Sequence, residues 1–400
     1  MLTIDRVFNA GVVLKNIIRE TSLVRTADLA PGCDLFLKPE NLQNTGSFKL
    51  RGSGFKIANL SDEEKSRGVI ACSAGNHAQG VALAASKCGI YSLICLPDSA
   101  PISKVEATKR YGADICLVNG VYDDAYKKAL ELQAEHGYTF VHPFDDEDVI
   151  AGQGTIALEI MHDLDDIDAV IVPVGGGGLI SGIAYTIKSI SPKTKVYGVQ
   201  AVGAPSMYDS VNSGHITCLD SVSTIADGIA VKQPGETTFD ICSKYVDDIA
   251  LVTEDEISSA ILALIEKQKM IAEGAGAVSV AAAMFEKFPL AGKKVVSIVS
   301  GGNVDVTSLN RIIQRGLFKS GRRTSLMIEL VDKPGQLKDV SRIIAECGGN
   351  VIAVHHEQDG ETESVNGCYL RIAMETRDYE HINVIHSALK AEGFKIIETH

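Results

Sequence analysis

Short apolar runs alternate with longer stretches in which hydrophobic residues recur every three or four positions, and the alternation continues from about Asp34 to Lys319. A brief apolar run bounded by turn formers reads as a strand, and helical spacing over ten or so residues reads as a helix. Strands are therefore expected at 35–38, 69–72, 91–96, 115–118, 169–174, 195–200 and 294–299, with helices at 78–87, 102–111, 123–135 and 155–162 and another after Gly178. The run Ala169-Val170-Ile171-Val172-Pro173-Val174 is apolar throughout, as a strand covered on both faces must be. Repeated βα units imply a parallel sheet with helices on both faces, whose ligands sit at the carboxyl ends of the strands. The glycine-rich segments fall at those ends.

The rhythm changes after a polar, basic stretch at 316–323, which reads as a linker. Beyond it the order is strand (325–331), helix (335–347), strand (350–355), strand (368–375), helix (379–391) and strand (395–398), a ferredoxin-like βαββαβ module of about 75 residues. The first 20 residues mix Asp5, Arg6, Lys15 and Arg19 into apolar positions, so they read as an amphipathic helix without a signal-peptide core. At 400 residues, two or three domains are expected.

Composition narrows the function classes. The net charge of −13 and the lack of a Lys/Arg run argue against nucleic acid as a partner. No apolar run approaches about 20 residues, so no membrane span is expected. Nine cysteines are dispersed without a C-x-x-C pair, which fits reduced thiols in a cytoplasmic protein and makes Asn59-Leu60-Ser61 a chance sequon. Gly is abundant at 37 residues and clustered, which points to backbone-built binding loops.

The clearest of these loops is Gly175-Gly176-Gly177-Gly178, between a strand and a helix. Bare amides at a helix N-terminus favour a phosphate, although a sterically tight turn would use the same residues. A dinucleotide fingerprint fails: Ile180 or Ser181 falls where the last small residue belongs, and Gln200 stands where an acidic ribose ligand is expected. No G-K-[S/T] follows a glycine loop, so a P-loop is also disfavoured. A lone phosphate monoester fits better. Lys49, in Gly46-Ser47-Phe48-Lys49, is unremarkable by itself, since most lysines are solvated. Beside an aromatic it can be desolvated, and a neutral amine can form a Schiff base with an aldehyde cofactor and later act as a base. A phosphate loop and such a lysine together are what pyridoxal phosphate requires.

Four motifs in order, Ser47-Phe48-Lys49-Leu50-Arg51-Gly52, Ser73-Ala74-Gly75-Asn76-His77-Ala78-Gln79-Gly80, Gly175 to Leu179, and Ser300-Gly301-Gly302-Asn303, resemble the threonine/serine dehydratase group of fold type II pyridoxal-phosphate enzymes. The resemblance runs over roughly residues 5–320. It implies a two-lobed α/β catalytic domain like that of tryptophan synthase β over 1–320, with a small lobe of roughly 50–150 inserted in the large one. It makes Lys49 the Schiff-base lysine, packs Phe48 beside the cofactor ring, sets Asn76 on the ring's 3-hydroxyl, and gives the phosphate to Gly175, Gly176, Gly177, Gly178 and Leu179. Ser300 becomes the partner of the pyridine nitrogen, which a hydroxyl leaves largely unprotonated; alone, Ser-Gly-Gly could be a turn. Ser73, Ala74, Gly75 and His77 become the receptor of a substrate carboxylate, with His77 as a general base or, more simply, a histidine bonding its surroundings. In related serine racemases the place of Ala74 is held by a serine that serves as a second base. Alanine carries no proton, which favours elimination over racemisation.

The implied activity is threonine ammonia-lyase, L-threonine to 2-oxobutanoate and ammonia, and L-serine to pyruvate by the same route. Serine racemase, a β-replacing synthase, or a non-catalytic amino-acid sensor on the same scaffold are the alternatives. Glu273 matches a family position near the cofactor, or is a helix-end carboxylate. Asp227 lies in a stretch that in relatives adjoins a monovalent or divalent cation site, with no ligands assigned. His355 and His356 are consecutive on an expected strand, face opposite sides and should not share an ion. The tail, 324–400, resembles an ACT domain through Asp332-Lys333-Pro334-Gly335-Gln336-Leu337. Asp332, Pro334, Gly335 and Leu337 are thus candidate contacts for an amino-acid effector, a nucleotide being the other effector class; a dimerisation module without a ligand is the plainer reading. The resemblance implies a homodimer or homotetramer.

Overall fold

A computed structural model describes residues 2–26, 28–30, 32–357 and 367–399. The chain divides into two compact units, Met1–Asp305 and Val306–His400. In chain order the strands of the first unit are β1 (Val24–Thr26), β2 (Asp34–Pro39), β3 (Val69–Cys72), β4 (Ser92–Pro97), β5 (Asp114–Val118), β6 (Thr139–Phe140), β7 (Ala169–Pro173), β8 (Lys195–Ala201), β9 (Asp248–Val252) and β10 (Lys294–Val299). They form a six-stranded sheet ordered β1-β2-β10-β7-β8-β9 and a four-stranded sheet ordered β5-β4-β3-β6. β1 is antiparallel to β2, and the other neighbours run parallel. All five residues of β7 are buried, as its unbroken apolar run requires.

The helix expected at 155–162 begins at Glu147 and runs to Asp163. Asp146 caps it by accepting from the amides of Asp148 and Val149. Gly152 and Gly154 have low intrinsic helix propensity, but here they are packing residues. A Cβ on Gly152 would lie 2.5 Å from the Arg51 carbonyl oxygen, and one on Gly182 of the helix Gly178–Ile190 would lie 2.3 Å from that of Ile150. Three helices, Lys49–Ala58, Glu147–Asp163 and Gly178–Ile190, therefore meet backbone to backbone. That contact fixes the start of the first and third, which carry Lys49 and the glycine loop.

The second unit comprises the helix Val306–Lys319, then β11 (Arg323–Val331), the helix Gln336–Glu346, β12 (Asn350–Glu357), β13 (Gly367–Glu375), the helix Tyr379–Ala391 and β14 (Lys395–Thr399). Its sheet is antiparallel, ordered β12-β13-β11-β14. The βαββαβ order of the tail is thus present. β11 and β13 alternate buried and part-exposed residues, so one face carries Leu326, Ile328, Leu330, Leu370, Ile372 and Met374 into a core with Ile343, Ile344, Ile385 and Leu389. The stretch expected as a linker is instead the last turn of the helix Val306–Lys319, the turn after it and the first residue of β11, tied down by the Thr376 hydroxyl donating to the Gly321 carbonyl at 2.6 Å.

Candidate active site

Three neighbouring parallel strands, β2, β10 and β7, end on the same edge of the large sheet, and each leads into a predicted motif. The segment after β2 reaches Lys49, β10 ends at Ser300, and β7 ends at the glycines. The first two are stitched together: the Phe48 amide donates to the Ser300 carbonyl at 3.0 Å, and the Gly302 amide to the Gly46 carbonyl at 2.9 Å. The Ser300 side chain is buried, and its hydroxyl donates to the Ala275 carbonyl at 3.2 Å.

Lys49 opens the helix Lys49–Ala58. Its Nζ donates to the Pro143 carbonyl at 2.7 Å and lies 5.3 Å from the centre of the Phe48 ring. Desolvation lowers its pKa to about 8, and the charge of Glu273 partly opposes the fall. The amine is thus poised between charged and nucleophilic forms near neutral pH.

Pro143 links Lys49 to the glycine loop, because its neighbour Phe144 packs on that loop. A Cβ on Gly176 would lie 2.4 Å from the Phe144 ring, and one on Gly178 2.9 Å from its Cα. Gly177 has φ +98°, a left-handed conformation that side chains resist, and caps the helix Gly178–Ile190. The Gly176 carbonyl accepts from the Thr238 hydroxyl at 2.6 Å. Leu179 is buried behind the loop. A side chain at Gly176, Gly177 or Gly178 would collide, and the helix N-terminus is lined by backbone amides.

β3 of the small sheet delivers Ser73, Ala74, Gly75 and Asn76. The first four residues after this strand are partly exposed, and a Cβ on Gly75 would meet nothing within 4 Å, so the loop borders open space. The Ser73 hydroxyl accepts from the Gly75 amide at 3.1 Å. Asn76 is held at both ends of its amide: Nδ2 donates to Glu273 Oε1 at 2.6 Å, and Oδ1 accepts from Asn303 Nδ2 at 2.7 Å. Asn303 also donates to the Thr45 carbonyl at 2.7 Å, which ties the Asn76 side chain to the Lys49 segment. Burial and the charge of Asp227 raise the Glu273 carboxyl to about 7, against the lowering effect of the Asn76 hydrogen bond.

His77 stands apart from the others. Its ring is buried, with Nε2 2.8 Å from the Val141 carbonyl, and burial with the nearby Lys49 charge pushes its pKa down to about 3. The ring is neutral and donates to that carbonyl, so it is committed to structure and not to proton abstraction. Asp227 accepts from Lys104 Nζ at 2.9 Å, a cation of the protein's own.

Immediately behind Lys49 lies a buried ion network. Arg51 donates from Nε and one terminal nitrogen to the two oxygens of Glu40 at 2.8 and 2.7 Å, and also to Glu159 at 2.8 Å. Lys38 donates to Glu159 at 2.6 Å, and Thr21 donates to Glu40 at 2.6 Å. Arg51, Glu40 and Lys38 are fully buried. Two positive and two negative groups balance, and the paired carboxylates hold the Arg51 guanidinium above its ordinary range. The network joins the helix of Lys49 to the strand β2 before it and the helix Glu147–Asp163 behind it.

A family model described as pyridoxal-phosphate dependent enzyme matches residues 14–301. The chain belongs to that family. As a pyridoxal-phosphate enzyme it is 48% identical over 398 residues to an L-threonine ammonia-lyase of Thermotoga maritima, covering 99% of each chain. Among solved structures it is similar to the processed form of threonine deaminase isoform 2 from Solanum lycopersicum, at TM-score 0.74 and 40% identity over 78% of this chain and 89% of that one. It is also similar to maize serine racemase, at TM-score 0.75 and 35% identity over 80% of this chain and 98% of that one.

Within this pyridoxal-phosphate enzyme the structure brings Lys49, Phe48, Asn76, Ser300 and the Gly175–Gly178 loop together. Four contributors were not singled out from sequence: Pro143, Phe144, Asn303 as a clamp on Asn76, and the Arg51 network. Asn303 was within reach, because it ends the Ser300-Gly301-Gly302-Asn303 motif. Pro143 and Phe144 carried no local signal, since their role is only to be next to residues distant in sequence.

Proposed function

We infer that this chain is a pyridoxal-phosphate-dependent L-threonine ammonia-lyase that also accepts L-serine, with Lys49 as its covalent anchor for the cofactor and its α-proton base. The observation that carries the reading is the part-buried Lys49 amine, desolvated to a pKa of about 8 and bonded to Pro143, whose neighbour Phe144 packs on a side-chain-free glycine loop. That arrangement fits a phosphorylated aldehyde: an amine available in neutral form for the aldehyde, and a glycine loop at a helix N-terminus whose backbone amides suit a phosphate. Phe48, Asn76, Gly175 to Gly178, Leu179 and Ser300 would hold it. When bound, pyridoxal phosphate withdraws electrons from the substrate's α-carbon.

The chain's own residues then set the outcome. Lys49 Nζ, whose lowered pKa of about 8 gives it a neutral fraction at physiological pH, accepts the α-proton from one face of the substrate. Ala74 offers no proton on the other face, which favours loss of the β-hydroxyl over inversion at Cα. Ser73, Ala74 and Gly75, beside open space at the end of β3, would receive the substrate carboxylate. Glu273 fixes Asn76 by its 2.6 Å hydrogen bond. Loss of the hydroxyl as water leaves an enamine, whose tautomer takes up water to give 2-oxobutanoate and ammonia.

Within the second unit, residues 324–400 read as an ACT-like regulatory module, and the similarity to the Thermotoga maritima protein continues over them. Asp332, Pro334, Gly335 and Leu337 are exposed at the start of the helix Gln336–Glu346, where Gly335 (φ +100°) leaves open space for an amino-acid carboxylate. Homodimers or homotetramers and a cytoplasmic location complete the proposal; among the described residues no helix is long and apolar enough to cross a membrane. Steady-state turnover of L-threonine with detection of 2-oxobutanoate tests the reading. Lys49→Ala is expected to lose both turnover and the visible band of lysine-bound cofactor; retention of that band, or release of D-amino acid as the main product, would overturn it.

A further inference from the structure

In sequence His356 stands beside His355, which faces the other way on the same strand. The fold gives it different company. His356 on β12 pairs with Leu370 of β13, and Cys368, two residues earlier on β13, pairs with Leu330 of β11. Directly paired residues project from the same face of a sheet, as do residues two apart on a strand. His356 and Cys368 therefore share the face that carries the core residues Leu330 and Leu370. Asp332, two beyond Leu330, follows the end of β11.

The ligand-bearing atoms of Asp332, His356 and Cys368 all lie within 4.8 Å of one another. A tetrahedral ion with bonds of about 2.0–2.3 Å separates its ligand atoms by roughly 3.3–3.8 Å, so small side-chain rotations close the triad on one ion. The rest of this face of β13 is Leu370, Ile372 and Met374, and a packing role at its end needs no thiol. Three different ligand types converging from two strands and a loop, on the open end of a dry sheet face, are what a metal site requires. Thiolate with imidazole selects soft or borderline ions over magnesium and calcium.

We propose that Asp332, His356 and Cys368 bind one divalent transition-metal ion of the zinc class per chain, with water completing the coordination. The ion pins β12 and β13 to the Asp332-Lys333-Pro334-Gly335 turn, and so would stiffen the start of the helix Gln336–Glu346. The site lies wholly in the second unit and does not depend on the reaction catalysed by the first.

The test uses the full-length holoenzyme, stripped with a chelator and desalted, without substrate. Titration with zinc against a chromophoric chelator is expected to show one tight equivalent per chain. Cobalt(II) is expected to give the visible bands of a tetrahedral thiolate complex, at wavelengths longer than the cofactor absorbs. His356→Gln, at an exposed side chain, should weaken zinc binding by about a hundredfold, and Cys368→Ser should abolish the thiolate-dependent cobalt bands. Because Cys368 is buried and its replacement perturbs the core, His356→Gln and Asp332→Asn, at exposed side chains, keep the question answerable. Absence of a bound equivalent, or unchanged affinity in His356→Gln, overturns the proposal. Loss of threonine turnover with intact zinc binding would strike the catalytic reading alone.

Discussion

Replacing Lys49 by Met in the protein freed of its cofactor is expected to stabilise it near neutral pH. The lysine amine is charged in the unfolded chain at this pH, while burial lowers its folded pKa from 10.5 to about 8. At about 1.4 kcal/mol for each tenfold change in proton affinity, the fold carries a penalty of about 3 kcal/mol for holding this group. Met fills nearly the same volume without the charge, but forfeits the 2.7 Å hydrogen bond to the Pro143 carbonyl, worth about 1 kcal/mol. A net gain of about 2 kcal/mol follows, seen as a rise of several degrees in the melting temperature of the cofactor-free protein. The sign of the pH dependence follows from the lowered pKa. The penalty is complete below about pH 8, shrinks as pH rises from there toward 10.5, and vanishes when the amine is neutral in both states. The gap between variant and parent is therefore expected to narrow steadily between pH 8 and 10 in parallel calorimetric scans. A variant that melts below the parent at pH 7, or a gap independent of pH, would refute the reasoning.

Two further perturbations probe what surrounds the lysine. Gly177→Ala forces a side chain into φ +98° and sets its Cβ 2.6 Å from Met207 Cε and 2.7 Å from Thr238 Cβ, so titration of the cofactor-free protein with pyridoxal phosphate should show at least a tenfold loss of affinity. Arg51→Ala strands Glu40 and Glu159 without their guanidinium, at a cost of about 3–5 kcal/mol in unfolding experiments; a cost below 1 kcal/mol would mean that water replaces the arginine.

Much of the site was legible before the fold was known, and for a local reason. Glycines in a row, Ser-Phe-Lys before a helix and Ser-Gly-Gly after a strand are backbone statements, written in neighbouring residues. What they would hold could be inferred because a phosphate, an amine and a hydroxyl belong to one cofactor. The helix Glu147–Asp163 was half missed, because Gly152 and Gly154 look like breakers unless one sees that Arg51 and the helix Gly178–Ile190 press against them. The same limit applies to His356, which the sequence sets beside His355 although the ligand atoms of Asp332 and Cys368 lie within 4.8 Å of its own.

Sequence by itself determined the alternation of strands and helices, the split between a parallel catalytic body and a βαββαβ tail, and the four motifs of the site. Only the tertiary structure decided the state of each group. It made Lys49 a weaker base by desolvating it beside Pro143, 94 residues away, set Glu273 against Asn76, 197 residues away, and turned His77 into a neutral donor to Val141. Periodicity and turn chemistry act between neighbours and are written in order along the chain. Desolvation and charge pairing act through space, and the partners that set them are chosen by how distant segments are brought together in the fold.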